Sequence, residues 1–152
     1  MFYLRRTTDE NTIRRLTEET LPGVEDDFGT AMWLLWNAGT PVGFCGVRQS
    51  ETWSDWAFLS RSGILPAARG RGLQRRMVAV REAWARSQGL EGITTYVSND
   101  NVPSLMNLLK CGFFIYDPEF KSATKPEAEW RRGSRDGFIY LAKRLDGRQH
   151  RH

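Results

Sequence analysis

Histidine is confined to the last three residues of this 152-residue chain, at His150 and His152, and cysteine occurs only at Cys45 and Cys111. The two cysteines sit among apolar neighbours and have no partners at metal-ligand spacing. That excludes a disulfide framework and a zinc site, and it sets a reducing cytoplasm as the expected compartment. No apolar run approaches the ~18–20 residues of a membrane-spanning helix. The opening MFYLRRTTDE has no apolar signal-peptide core. Repeats and low-complexity stretches are absent too. With 40% hydrophobic, 12% aromatic and 26% charged residues, the composition excludes a disordered or fibrous chain. A chain of this length buries roughly 68–70% of its unfolded surface, enough for one core without staples.

The most informative absence is of acid. Between Trp56 and Arg81 there is no Asp or Glu, while Arg61, Arg69, Arg71, Arg75, Arg76 and Arg81 are all present. Taking those six charges from the formal +4 leaves −2 on the remaining residues. The basicity therefore belongs to one segment. It reads as a local anion site before it reads as a polyanion-binding surface.

Hydrophobic periodicity and turn residues lay out ten elements. Phe2 to Arg6 reads as a strand. Thr8 or Asp9 can cap a helix over Glu10–Thr20, with Ile13 and Leu16 inward and a stop at Leu21-Pro22-Gly23. Ala31–Trp36 and Val42–Arg48 flank the turn-like Asn37-Ala38-Gly39-Thr40-Pro41, which predicts an antiparallel hairpin. Trp56 to Leu65 reads as a longer strand. Gly72 to Gln88 is the clearest helix, with Leu73, Met77, Val80 and Trp84 at helical spacing and Gly89 as its stop. Ile93–Val97 is the next strand. Asn99-Asp100-Asn101 opens a helix with Pro103 in its first turn, and Gly112 closes it. Phe113–Tyr116 and Gly137–Leu145 complete the order. The expectation is an α/β fold: a mixed, mostly antiparallel sheet of six or seven strands with helices on both faces. One domain is expected over 1–145, with 146–152 a flexible tail.

Chemistry concentrates in Ile64-Leu65-Pro66-Ala67-Ala68-Arg69-Gly70-Arg71-Gly72-Leu73-Gln74. A strand ends at a proline, a glycine-containing turn follows, and a long helix begins. Helix N-termini leave backbone N–H groups unpaired at the positive end of the macrodipole, so they bind anions. Gly70 and Gly72 let a ligand approach the backbone without a side chain in the way. Arg71, Arg75 and Arg76 oppose the helix dipole by ~0.3–1 kcal/mol each. Folding alone would favour acids there, and a phosphate ligand reverses that sign. A P-loop is excluded because no Gly-Lys-Ser/Thr occurs. A dinucleotide fingerprint would require glycine at Arg75.

These residues resemble the GNAT superfamily of N-acetyltransferases, which use acetyl-coenzyme A. The family signature, Arg/Gln-x-x-Gly-x-Gly/Ala after a strand ending Val-x-Pro, is matched by Arg69 to Leu73 and by Ile64-Leu65-Pro66. A family Asn opening a helix that ends in Gly-Phe is matched by Asn101 with Gly112-Phe113. The order of elements agrees over nearly the whole chain. The resemblance implies that backbone amides around Arg71, Gly72, Leu73 and Gln74 hold the coenzyme pyrophosphate, and that arginines reach its 3′-phosphate. It implies that the edge of Ser62 to Ile64 pairs with the pantetheine arm and splays from Ile93–Val97. A backbone N–H near Ile64 would polarise the thioester carbonyl, with Asn101 and Ser104 near the pantetheine.

Three departures bear on mechanism. Gln74 replaces the glycine or alanine of the sixth signature position. The tyrosine with which many members protonate the thiolate falls at Leu108, which donates nothing. No glutamate lies on the inner part of the preceding strand, Phe58-Leu59-Ser60. The general base is therefore sought among Asp55, Glu25, Asp26 and Asp27, and the acid among Ser104, Tyr116 and Tyr96. For each the bland alternative is a solvated carboxylate, a cap hydroxyl or a sheet-face phenol. Trp33, Trp36, Trp53 and Trp56 read as core or cleft walls, and Cys111 as a small core residue. Trp130-Arg131-Arg132-Gly133-Ser134-Arg135 reads as a solvated connection.

The expected activity is transfer of an acetyl group from acetyl-coenzyme A to a primary amine, small-molecule or protein and possibly cationic, by a monomer or homodimer. No metal, membrane or nucleic-acid partner is expected. Two other classes fit less of the chain: a non-catalytic or regulatory acyl-coenzyme-A binder, and a small basic nucleic-acid-binding protein.

Overall fold

The computed structural model describes residues 1–24, 28–50, 54–116 and 137–145. Glu25, Asp26, Asp27, Trp53, the Trp130–Arg135 segment and the histidine tail lie outside the described residues. The elements follow the expected order: β1 (Phe2–Thr7), α1 (Glu10–Thr20), β2 (Ala31–Asn37), β3 (Thr40–Gln49), β4 (Trp56–Ile64), a short 3-10 turn (Pro66–Ala68), α2 (Leu73–Ser87), β5 (Gly92–Ser98), α3 (Val102–Lys110), β6 (Phe114–Tyr116) and β7 (Phe138–Arg144). The strands hydrogen-bond in the order β1-β2-β3-β4-β5-β7-β6. The β4–β5 ladder is parallel, and β1–β2, β2–β3, β5–β7 and β6–β7 are antiparallel. Backbone contacts divide the chain into two compact units, Met1–Arg48 with Ser60–Met77, and Gln49–Leu59 with Val78–His152.

In the first unit, Asp9 caps α1 by accepting from Thr12 N at 3.1 Å and from the Thr12 hydroxyl at 2.6 Å. Ile13 and Leu16, one turn apart, drop onto Met32, Leu34 and Phe44 of the sheet. Burying side chains of that size contributes roughly 1.5–3 kcal/mol each. Cys45, next to Phe44 and so pointing the other way, contacts the Met77 carbonyl of α2 at 4.0 Å. Helices therefore lie on both faces of these strands. The hairpin is tighter than the sequence suggested. Its turn is Ala38-Gly39, both with positive φ, the two-residue geometry whose twist matches paired strands. Thr40 and Pro41 accordingly belong to β3, with a register shift at Leu35/Trp36.

In the second unit, Trp56, Tyr140 and Ala142 form the core with Phe114 against them. Lys143 Nζ joins Glu82 at 2.9 Å and the Cys111 carbonyl at 2.6 Å, tying α2 and the end of α3 to β7. Glu82 is buried and also meets Arg86 Nη1 at 3.5 Å, so two cations balance its desolvated charge.

Candidate functional site

Within the first unit, β4 runs from Ser60 to Ile64 and hands the chain to the turn that opens α2. An added Cβ at Gly46 would collide with Met32 and Ser60, and one at Gly63 with Thr20 and Phe44. Met32, Phe44 and Thr20 all belong to the side of the sheet that α1 covers. Ser60 and Gly63 thus address one face although three residues apart, which a regular strand forbids. The strand is irregular between them, the kind of local re-aiming that accompanies functional edges.

The turn that follows is open. Gly70 and Gly72 have φ of +80° and +72°, and an added Cβ at either would meet nothing within 4 Å. Their glycine identity is required by backbone conformation and not by neighbours. Left-handed positions alternating through a turn fold successive N–H groups into a concave anion cradle. Helix α2 starts at Leu73 with no acidic residue in its first turn, and its first N–H groups have no intrahelical acceptor. Leu73 and Met77 are buried and fix the helix start, while Arg75 and Arg76 are exposed.

The arginines are less interchangeable than the sequence implied. Arg71 lies over the Phe2 ring, 5.4 Å from its centroid. Arg76 donates to the Phe2 carbonyl at 3.2 Å. Arg69 Nε donates to the Ile64 carbonyl at 2.8 Å. Sequence reading missed the first strand as the support for two of these guanidinium groups, because Phe2 is about seventy residues away in the chain.

The structure gathers Ser62, Ile64, Arg69, Gly70, Arg71, Gly72, Leu73 and Gln74 in this unit. The remaining candidates belong to the second unit. Asn101 caps α3, its Oδ1 accepting from Ser104 N at 3.3 Å, so both have local structural work. Leu108 is buried. Asp55 precedes β4, and its carbonyl accepts from Glu91 N at 2.7 Å. Tyr116 pairs with Tyr140 in the β6–β7 ladder. Tyr96 is 36% exposed and is wedged among Phe58, Phe138 and Tyr140, with ring centroids 5.7, 5.3 and 6.1 Å away. The parallel β4–β5 ladder has register pairs Trp56–Gly92, Ala57–Ile93 and Phe58–Thr94. Tyr96 lies two residues beyond the last pair on β5.

A cavity of about 200 Å³ opens in the first unit between α1 and β2. Ile13, Phe28 and Met32 supply its apolar lining, and Arg6, Thr7, Thr8, Asp9, Glu10 and Thr30 its polar lining. The hydrogen bonds from Thr12 hold the Asp9 carboxyl below the usual carboxylate range. Gly29, also in the lining, is so close to β4 that a Cβ would lie 3.0 Å from the Ser60 hydroxyl.

A curated relative is the streptothricin acetyltransferase of Escherichia coli, 27% identical over 99 residues. The match spans 59% of this chain and 57% of that protein's length. Among solved structures, the ribosomal-protein-S18-alanine N-acetyltransferase of E. coli superposes with TM-score 0.69 at 16% identity, over 98% of this chain and 97% of the other. The N-acetylglutamate synthase of Neisseria gonorrhoeae, solved with coenzyme A and N-acetyl-glutamate, gives TM-score 0.69 at 18% identity over 95% of this chain and 35% of that one. At these identities the superpositions establish the fold. Residues 3–113, from the first strand through the glycine turn to the end of the third helix, match the model of the acetyltransferase (GNAT) family, and the chain belongs to that family.

Proposed function

We propose that this protein transfers an acetyl group from acetyl-coenzyme A to a primary amine, by direct attack within a ternary complex. The observation that carries the reading is the Gly70-Arg71-Gly72 turn: two left-handed glycines with open space above them, leading into an acid-free helix start. Such a turn fits a pyrophosphate and has no use in folding alone. Acetyl-coenzyme A supplies an acyl group already activated as a thioester. The residues of this chain then have three tasks. The turn holds the phosphates, with Arg71, Arg75 and Arg76 around it. The edge of Ser62 to Ile64 aligns the arm, and the Ile64 N–H polarises the carbonyl. The acceptor nitrogen forms its bond to the acyl carbon as the C–S bond breaks. One proton leaves the nitrogen, and one reaches the sulfur.

The acceptor is assigned to the cavity at α1. Its apolar lining suits a short carbon skeleton, and Asp9 and Glu10, two acids against the single cation Arg6, favour a cationic amine. Gly29, one of its lining residues, packs beside Ser60, two residues from Ser62, or ~7 Å along a strand. Deprotonating a lysine-like amine at pH 7 costs roughly 4–5 kcal/mol, an α-amine about 1 kcal/mol. A weakly basic amine therefore needs least help from a chain whose acid position is Leu108. With residue 108 unable to donate, a non-catalytic acyl-coenzyme-A binder is the second reading.

Calorimetric titration of acetyl-coenzyme A tests the first step. Micromolar binding is expected for the native chain and loss of it for Arg71→Glu. An absence of binding at moderate salt overturns both readings. An amine panel scored by thiol release then separates them, since a non-catalytic binder releases none.

A further inference from the structure

One peptide unit joins the strand to the phosphate turn, and it is held from both sides. The Leu65 N–H donates to the Val42 carbonyl at 2.8 Å. The carbonyl of the same peptide, that of Ile64, accepts from Arg69 Nε, also at 2.8 Å. In a trans peptide these two groups point in opposite directions, so the pair of bonds clamps the plane. The Arg69 N–H closes the intervening 3-10 turn on the Pro66 carbonyl at 3.2 Å, so the backbone bond of one residue is nested inside the six-residue span, Ile64 to Arg69, that its side chain closes. Leu65 faces β3, so Ile64 turns its own N–H and C=O to the other edge of β4. With Arg69 on the carbonyl, the group this edge offers at Ile64 is the N–H donor.

Resting on the coenzyme reading above, we propose that Arg69 is a positioning residue and not a phosphate ligand. Its Nε–H fixes the Ile64–Leu65 peptide, and with it the separation between the Ile64 N–H and the Gly70–Gly72 turn. A ligand that engages both ends gains from that fixed span, because the second contact becomes intramolecular. A ligand that engages only the turn gains nothing from it.

The prediction separates donor from charge. Glutamine carries an N–H at the same number of bonds from Cα as Arg Nε but has no charge, whereas methionine has neither. Calorimetry with acetyl-coenzyme A and with adenosine 3′,5′-bisphosphate, which lacks the pantetheine arm, should find Arg69→Gln close to the native chain for both. Arg69→Met should bind the bisphosphate normally and acetyl-coenzyme A about tenfold more weakly, a small part of the gain that linked contacts provide. Amide exchange at Leu65 should quicken in Arg69→Met and not in Arg69→Gln. Loss of bisphosphate affinity in Arg69→Gln would make Arg69 a phosphate contact and overturn the inference, as would native acetyl-coenzyme A affinity in Arg69→Met. Should Arg69→Met fail to fold, Arg69→Gln decides alone: retained acetyl-coenzyme A affinity supports positioning, and a tenfold loss refutes it. If the native chain binds neither ligand, the coenzyme reading fails and takes this inference with it; unequal Leu65 exchange would then still report the clamp as a purely structural one.

Discussion

Helices α1 and α2 begin in opposite ways. The start of α1 is finished by the protein itself: Asp9 takes two hydrogen bonds from Thr12, and Glu10 sets a negative charge against the dipole. The start of α2 has no acid in its first turn, follows two left-handed glycines and is flanked by exposed arginines. Both helices bury their inward residues equally well, so the difference is not one of packing. A helix start that serves folding satisfies its own N–H groups. One with no acid in its first turn and arginines around it has the wrong charge for its own dipole, the arrangement on which the proposed coenzyme site rests.

That contrast can be broken most severely at the glycines. The double variant Gly70→Ala/Gly72→Ala forces two L-residues into left-handed backbone, at ~1–2 kcal/mol each, or reshapes the cradle. Affinity for acetyl-coenzyme A should fall by roughly 30- to 900-fold, since that strain must be met each time the turn adopts its binding shape. Calorimetry measures this directly, and an unchanged affinity would remove the turn from the site. A smaller effect, with opposite signs in two assays, is expected of Gln74→Glu. It gives α2 the acid that α1 already has, so the melting temperature should rise by the equivalent of ~0.3–1 kcal/mol. Coenzyme affinity at low salt should fall by about tenfold, and the penalty should shrink as salt screens it. A variant that is both less stable and equally good at binding would contradict the comparison.

Glu10→Gln addresses the acceptor. It should raise KM severalfold for cationic amines and leave coenzyme affinity alone, as a lost rim charge of ordinary strength would. The smallest effect belongs to Asp9→Ala. Thermal melts should show a slight loss of stability with native coenzyme affinity, because the Asp9 cap lies at the start of α1 and not at the glycine turn. The sign with pH is set by the lowered Asp9 carboxyl. Its stabilisation is complete above the ordinary value of 3.8 and is lost as pH falls through the depressed folded value. Asp9→Ala should therefore cost stability at pH 7, where the carboxylate cap is fully present, and the gap to the native chain should close at the acid end.

Much of this site could be read in advance, because its signals are local. Turn glycines, a proline stop, missing acids and helical spacing in 64–77 all act within a few residues of one another. The hairpin shows where local reading fails. Asn37 to Pro41 is recognisably a turn, yet which residues take positive φ depends on the register of β2 against β3, and that is fixed by core residues such as Leu34 and Phe44. The arginines fail in the same way. Six guanidinium groups look alike in a sequence, and only contacts with Phe2 and Ile64 distinguish Arg71, Arg76 and Arg69.

The sequence by itself determined the order of ten elements, the family and the place of the glycine turn, since each follows from spacing between near neighbours. The tertiary structure decided which residues take positive φ, which arginine braces the strand and where a cavity opens beside α1. Those depend on distances between residues far apart in the chain, and hydrophobic burial sets such distances only when the whole chain packs.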